Sequence, residues 1–254
     1  MTGAGTPIGV RDVQTEAFFD SRTPEYDAPS RFALVAEWIG KLRGLDSSLL
    51  DIGCGTGNVL AYLRDATGLR HLAGLDVSPR CLDLARERLS CETHQGSILD
   101  EGLVARLAGR FDFAILGAVL HHLIGRSRRA SHDLARRGIA NAVRVVRPGG
   151  HVFLLEPVFY PSFMMDLVFY IKKLAVNVTS GRLEIFGQWN NLGAPVVSYY
   201  TNEELRGMAE ADPRTEIVEL RAVPAAITTL QRAAFIYRRE DTTLILRRRE
   251  AGSP

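Results

Sequence analysis

Between Leu49 and Asn58 the chain reads LLDIGCGTGN: an apolar run, a carboxylate at Asp51, then Gly53, Gly55 and Gly57 at alternate positions. Glycine lacks a Cβ, so such a loop can turn sharply or lie close against a ligand. The spacing differs from the dinucleotide fingerprint, whose third glycine would stand where Asn58 is. No Gly-Lys-Ser/Thr follows, so the loop is not a P-loop. Asp51 at its mouth repels a pyrophosphate and attracts a cation, so the expected ligand is positive at one end at least. Asp76 lies 19 residues beyond Gly57, where a βαβ unit places an acid that can hold both hydroxyls of a ribose. Farther along, His121 and His122 are adjacent imidazoles, which titrate near neutral pH and suit proton removal.

A scaffold must bring these residues to one edge. Strand-like runs at Ser48 to Gly53, His71 to Asp76, Glu92 to Gln95, Phe111 to Gly117, His151 to Glu156, Thr215 to Val223 and Thr242 to Arg247 alternate with helical patterns, notably Pro79 to Leu89 and Ser131 to Val146. That alternation predicts an α/β fold with a parallel sheet covered on both faces. Ligands of such sheets sit beyond the carboxyl ends of the strands, where the strand order reverses. Ser78 and Pro79 read as N-cap and first residue of a helix. RPGG (147–150) ends the second helix and turns the chain into the fifth strand. Thr201 and Glu204 form a capping box.

With 254 residues, the chain suits one α/β domain over 12–254, preceded by a flexible tail at 1–11. Within it, 12–44 is expected to form N-terminal cap helices and 158–200 an inserted lid. A net charge of +2 argues neither for nor against a polyanionic partner. The basic clusters Arg126, Arg128, Arg129 and Arg247, Arg248, Arg249 read as solvated surface. Three cysteines, Cys54, Cys81 and Cys91, fit no zinc site and no redox pair, so no metal and a reducing, cytoplasmic setting are expected. The start lacks the basic and apolar regions of a signal peptide. The most apolar segment, Val158 to Val178, is broken by Pro161, Asp166, Lys172 and Lys173, so no membrane span is expected.

Taken in order, LLDIGCGTG, GLDVS, QGSILD, FDFAILGAVLHHL and VVRPGGHVFLLEP resemble the successive motifs of class I S-adenosylmethionine-dependent methyltransferases, of the small-molecule type. The resemblance covers about Phe18 to Pro157. It implies a Rossmann-like, seven-stranded, mostly parallel sheet with the last strand antiparallel beside the fifth. It also implies S-adenosyl-L-methionine as cofactor and S-adenosyl-L-homocysteine as product. Asp51 would meet the ammonium, the backbone from Gly53 through Cys54 and Gly55 to Gly57 would lie against the methionine part and ribose, and Asp76 would take the ribose hydroxyls. Val77 would pack on the adenine, Ser97 and Ile98 would stand near its amino group, and Gly117 and Ala118 would pass beside the methionine moiety. Ser97 departs from the aspartate that many relatives carry there. Tyr26, in the N-terminal FD…YD helix, would reach the cofactor.

Methyl transfer from a sulfonium is an in-line displacement whose donor is already activated, so positioning does much of the work. A hydroxyl acceptor also needs a base. His122 matches a histidine frequent in the family and reads as structural or cofactor-adjacent; His121 is open between exposed surface and active site. Glu156, expected at the end of the fifth strand, could orient an acceptor hydroxyl. His71, His94, His132 and His151 read as surface. After the fifth strand, Phe163, Leu167, Tyr170 or Ile171 and Leu174 fall at helical spacing and are expected to form the inner face of a lid. Tyr160, Trp189, Tyr199 and Tyr200 join them as acceptor contacts. The expected acceptor is a small, largely apolar or aromatic molecule methylated at oxygen, by a monomer or homodimer.

Two other classes compete. A nucleic-acid methyltransferase of this fold usually carries an Asn/Asp-Pro-Pro-aromatic turn after the fourth strand; here LGAV stands at 116–119 and no Pro-Cys occurs, so no nucleic-acid partner is expected. A non-catalytic S-adenosylmethionine-binding protein would keep the same pocket and lack turnover. A nicotinamide-dependent reductase is disfavoured by the glycine spacing.

Overall fold

The computed structural model describes residues 29–42, 44, 46–179 and 196–250. Tyr26, Trp189, the 1–11 tail and parts of the expected cap and lid lie outside the described residues. Seven strands, β1 (Ser48–Ile52), β2 (His71–Asp76), β3 (Glu92–Gln95), β4 (Phe111–Gly117), β5 (Val146–Tyr160), β6 (Thr215–Pro224) and β7 (Arg238–Arg248), form one sheet in the order β3-β2-β1-β4-β5-β7-β6. The first five are parallel to one another, and β7 runs antiparallel between β5 and β6. This is the Rossmann-like arrangement expected from the motifs.

Strand side chains alternate between two apolar layers, as a two-residue period dictates. Leu50, Ile52, Ala114, Leu116, Val152 and Leu154 pack under helices α4 (Glu101–Leu107), α5 (Arg128–Val145) and α7 (Asn202–Glu210). Leu49, Phe113, Ile115, Phe153 and Leu155 pack under a 3₁₀ turn (Pro29–Phe32) and helices α1 (Ala33–Leu42), α2 (Asn58–Thr67) and α3 (Pro79–Leu89). Each fully buried Leu or Phe contributes roughly 1.5–3 kcal/mol, so the carboxyl ends of β1, β2 and β4 are held in fixed relation. Ser78 accepts from the amide of Cys81 ahead of Pro79, and Thr201 with Glu204 closes a reciprocal capping box, both as expected.

Three elements depart from expectation. β5 starts at Val146 and continues to Tyr160, because β7 pairs with it without a break from His151–Arg247 to Tyr160–Arg238; Glu156 is therefore inside the strand and not at its end. RPGG lies within β5. α5 begins at Arg128, where Ser127 caps it by accepting from the Ala130 amide, ahead of the expected Ser131.

The third departure follows from the second. Arg128 is only 6% exposed, contrary to its reading as solvated surface. Its Nε donates to Asp166 Oδ1 at 2.9 Å and its Nη1 to Ser198 Oγ at 2.5 Å, Nη2 stands 3.5 Å from Glu204 Oε2, and the guanidinium covers the Tyr200 ring at 5.1 Å. Asp166 belongs to helix α6 (Ser162–Thr179) of the insertion; Ser198 and Tyr200 belong to its return. Tyr200 rejoins the sheet edge, its carbonyl accepting from the Phe159 amide at 3.2 Å. One arginine thus fastens both ends of the insertion to α5.

Candidate active site

The glycine loop leaves β1 at the switch point, where β1 lies between β2 and β4. Gly53, Gly55 and Gly57 all have left-handed φ, +77°, +50° and +79°, a region closed to most L-residues. A Cβ on Gly53 would fall 2.6 Å from Val119 Cγ2. A Cβ on Gly55 would meet nothing within 4 Å, so the loop is open to a ligand there. α2 starts directly after Gly57, whose position brings no side-chain cap. Its first amides keep the donors and positive dipole end that favour a carboxylate.

The two carboxylates flank this loop. Asp76 ends β2; its Oδ2 accepts from the Gly55 amide and its Oδ1 from the Ser78 amide, both at 2.9 Å. A carboxylate oxygen can accept more than one hydrogen bond. Asp51 is buried in β1. Desolvation, then the negative charges of Asp51 and Asp76, push the Cys54 thiol far above its usual range, so Cys54 is a neutral filler beneath the loop.

Val77 is half-buried beside Asp76, and Ser97 lies in the turn after β3 with Oγ accepting from the Leu99 amide at 3.2 Å. Ile98 follows Ser97 in this turn. Its side chain is buried in the core with Leu103 and Ile139, and its carbonyl is held by Asn141 Nδ2 at 2.9 Å, so it does not offer a side chain to a ligand. Gly117 is also explained by packing: a Cβ there would meet Phe32 Cζ at 3.1 Å. Ala118 adopts φ +58° and donates its amide to the Leu155 carbonyl at 2.7 Å. A non-glycine residue in that region stores of order 1–3 kcal/mol of strain, and it does so beside the glycine loop.

Past Ala118 the chain turns through Leu120–His122 and brings the imidazoles to β5. His121 is 2% and Glu156 1% exposed, which removes the surface reading of His121. Its Nδ1 lies 2.7 Å from Glu156 Oε2, while Oε1 accepts from the Leu120 amide at 2.6 Å. At this distance Nδ1–H can donate to the carboxylate. The His122 ring packs tilted against His121 with centroids 4.2 Å apart, and the Tyr199 ring lies 5.3 Å from that of His121. Burial, then the neighbouring His121 and Lys172, hold His122 well below the usual imidazole range. Burial likewise lowers Lys172 on α6. Of the other histidines only His71 is exposed; His94, His132 and His151 are half-buried.

Among the described residues, of the expected acceptor contacts only Tyr199 joins this row, leaning on Phe159 at 4.5 Å and packing with the apolar cluster of Phe159, Met164, Met165 and Ile236. Tyr160 is turned away, its hydroxyl donating to Glu203 Oε2 and accepting from the Asn202 amide, each at 3.2 Å, under the Arg238 guanidinium. Tyr200 is fully buried beneath Arg128. Phe163, Leu167 and Tyr170 point to solvent, because the inner face of α6 is Met164, Met165 and Phe169. Sequence reasoning missed Phe159 and these methionines; their regular offset from the exposed stripe was the available signal.

Residues 50–154 match the family described as "Methyltransferase domain". Residues 50–154 of this chain carry a methyltransferase domain. The cofactor of that family is S-adenosyl-L-methionine. Over 115 residues the methyltransferase domain is 30% identical to ribosomal RNA small subunit methyltransferase C of Alcanivorax borkumensis, covering 44% of this chain and 33% of that protein. The chain spans about a third of the length of that curated relative. A structure described under "Conversion of a Disulfide Bond into a Thioacetal Group during Echinomycin Biosynthesis" aligns with TM-score 0.60 at 19% identity, over 95% of this chain and 94% of that one. A SAM-dependent methyltransferase of Methanosarcina mazei aligns with TM-score 0.57 at 18% identity, over 84% and 97%. At such identities the likeness is one of fold.

The methyltransferase domain fits this cofactor on its own geometry. The loop is open at Gly55, the base of the loop is negative where an ammonium would lie, the α2 amides suit a carboxylate, and each oxygen of the Asp76 carboxylate can accept more than one hydrogen bond.

His122 also sets an expected pH dependence for the methyltransferase domain. The unfolded chain binds a proton near the ordinary 6.5 that the folded chain refuses. Stability is therefore full above that value and falls as pH drops below it, by up to about 1.4 kcal/mol per pH unit until the lowered pKa is reached. Urea unfolding at about pH 5 and about pH 7.5 measures this. His122→Phe should flatten the difference; an equal slope in that variant would show that other groups cause it.

Proposed function

We propose that the chain transfers the methyl group of S-adenosyl-L-methionine to the hydroxyl of a small, largely apolar or aromatic acceptor, releasing S-adenosyl-L-homocysteine. The observation that carries this reading is the row Glu156, His121, His122 and Tyr199, in which Glu156 inside β5 meets the imidazoles of the turn after β4, set against the apolar cluster of Phe159, Met164 and Met165. An imidazole beside an apolar wall suits an acceptor that is mostly hydrocarbon with one ionisable hydroxyl. The bound cofactor supplies an activated methyl group on a sulfonium. Asp51 would meet its ammonium, Asp76 its ribose and Val77 its adenine.

His122, half-buried and kept neutral by desolvation and by His121 and Lys172 beside it, takes the proton that the acceptor oxygen loses as the carbon–oxygen bond forms. His121 does not touch the acceptor. It is a positioning residue, locked by Glu156, that fixes the plane of His122 through ring contact. This reading takes 12–254 as one domain in a cytoplasmic setting, with 12–44 and 158–200 as covers.

A second reading, methylation of RNA, is favoured by the ribosomal RNA methyltransferase among the relatives. Against it stand LGAV at 116–119 in place of an aromatic clamp and a net charge of only +2. One assay separates the two. The purified chain is given S-adenosylmethionine labelled in the methyl group, with a panel of apolar phenols and alcohols and, separately, small-subunit ribosomal RNA. Label in the panel and not in RNA supports the proposal; label in RNA alone overturns it, and no label anywhere leaves a binding protein without turnover.

A further inference from the structure

The outward face of α6 carries a row of exposed apolar side chains. Phe163, Leu167, Tyr170, Ile171 and Leu174 follow one another along one side of the helix, each between 49% and 67% exposed. A contiguous row of large apolar side chains in water is unfavourable, and rows of this kind rimmed by polar residues mark contact surfaces. Its rim is basic. Arg126 and Arg129 are exposed at the start of α5, and Lys173 of α6 donates to the Arg126 carbonyl. The single carboxylate of α6, Asp166, has its charge met by Arg128 at 2.9 Å. The surface therefore offers apolar side chains bordered by cations with little negative charge between them.

We propose that this face seats on an anionic phospholipid bilayer, with the α6 stripe among the headgroups and upper acyl chains and Arg126, Arg129 and Lys173 against lipid phosphates. An amphipathic helix with Phe, Leu and Tyr on one side and cations beside them has the composition that binds at an interface without crossing it. Among the described residues no helix is long and apolar enough to cross a membrane. A second copy of the chain is a poorer occupant, because a two-fold contact would set Arg126 and Arg129 close to their own images. The inference goes beyond methyl transfer and stands without it. Joined to that reading, it places the inner side of the same helix, Met164 and Met165, at the acceptor wall, so an apolar acceptor dissolved in the bilayer would have a short way in.

Flotation of the full chain with vesicles tests this directly. Vesicles of phosphatidylglycerol with phosphatidylcholine should carry at least about ten-fold more protein than phosphatidylcholine alone, and added salt should reduce the difference. Leu167→Glu with Leu174→Glu, both at exposed positions, should fold normally by circular dichroism and return flotation to background. Arg126→Gln with Arg129→Gln should lose roughly five-fold for each charge removed. The proposal is overturned if the native chain fails to float, or if the glutamate variant floats as well as the native chain. It is also overturned if the native chain sediments as a dimer that the glutamate variant dissociates and no vesicle binds, which would make this face a self-interface.

Discussion

Asp76→Ala is expected to weaken S-adenosylmethionine binding by about two orders of magnitude or more. Hydrogen bonds to a charged acceptor contribute roughly 1.5–3 kcal/mol each, and two ribose hydroxyls would lose theirs together. The loop suffers as well, since the Gly55 and Ser78 amides both lose the carboxylate that holds them. Asp76→Asn keeps one acceptor oxygen and should lose less. Calorimetric titration reads both effects, and thermal unfolding checks that the sheet is intact. Affinity unchanged in Asp76→Ala would refute this placement of the ribose.

Glu156→Ala is the second large effect, and it falls on stability. The carboxylate is buried and accepts two hydrogen bonds, from His121 Nδ1 and from the Leu120 amide. Removing it leaves two buried donors in a space that water does not reach, a change expected to cost about 3–5 kcal/mol. Glu156→Gln fills the space and can still accept one of the two bonds. Its amide donor, however, would face Nδ1 and drive the His121 proton to Nε2, so it should recover part of the stability while changing the face that His121 turns to His122. Urea denaturation measures the first claim; a loss under about 1 kcal/mol for Glu156→Ala would mean that water enters and the pair is not the strut described.

The cofactor side was legible because its rules are local. Left-handed backbone selects glycine at Gly53, Gly55 and Gly57, and a cap such as Ser78 is read from its own neighbours. The lid was legible only as a helix. Its described turns are apolar almost all round, so the period that picked out Phe163, Leu167 and Tyr170 fits Met164, Met165 and Phe169 equally well from the other side. Only the cluster with Phe159 and Ile236 decides which row turns inward. Tyr160 and Tyr200 were placed at the site because they are aromatic and nearby, yet their hydroxyls answer to groups distant in sequence, Glu203 for one and the Leu120 carbonyl for the other. Arg128 was hidden in a run of arginines. Its offset from the buried Ser131 and Ala135 puts it on the inner side of α5, a pattern that charge alone conceals.

That arginine has a consequence for descent. Both shores of the insertion are moored to one side chain, Asp166 on the outgoing helix and Ser198 on the return. Lengthening or rewriting the stretch between the moorings adds only a slowly growing closure entropy and leaves the rungs of β5 and β7 untouched. The stretch between the moorings is thus open to replacement without any change to the sheet that carries the glycine loop.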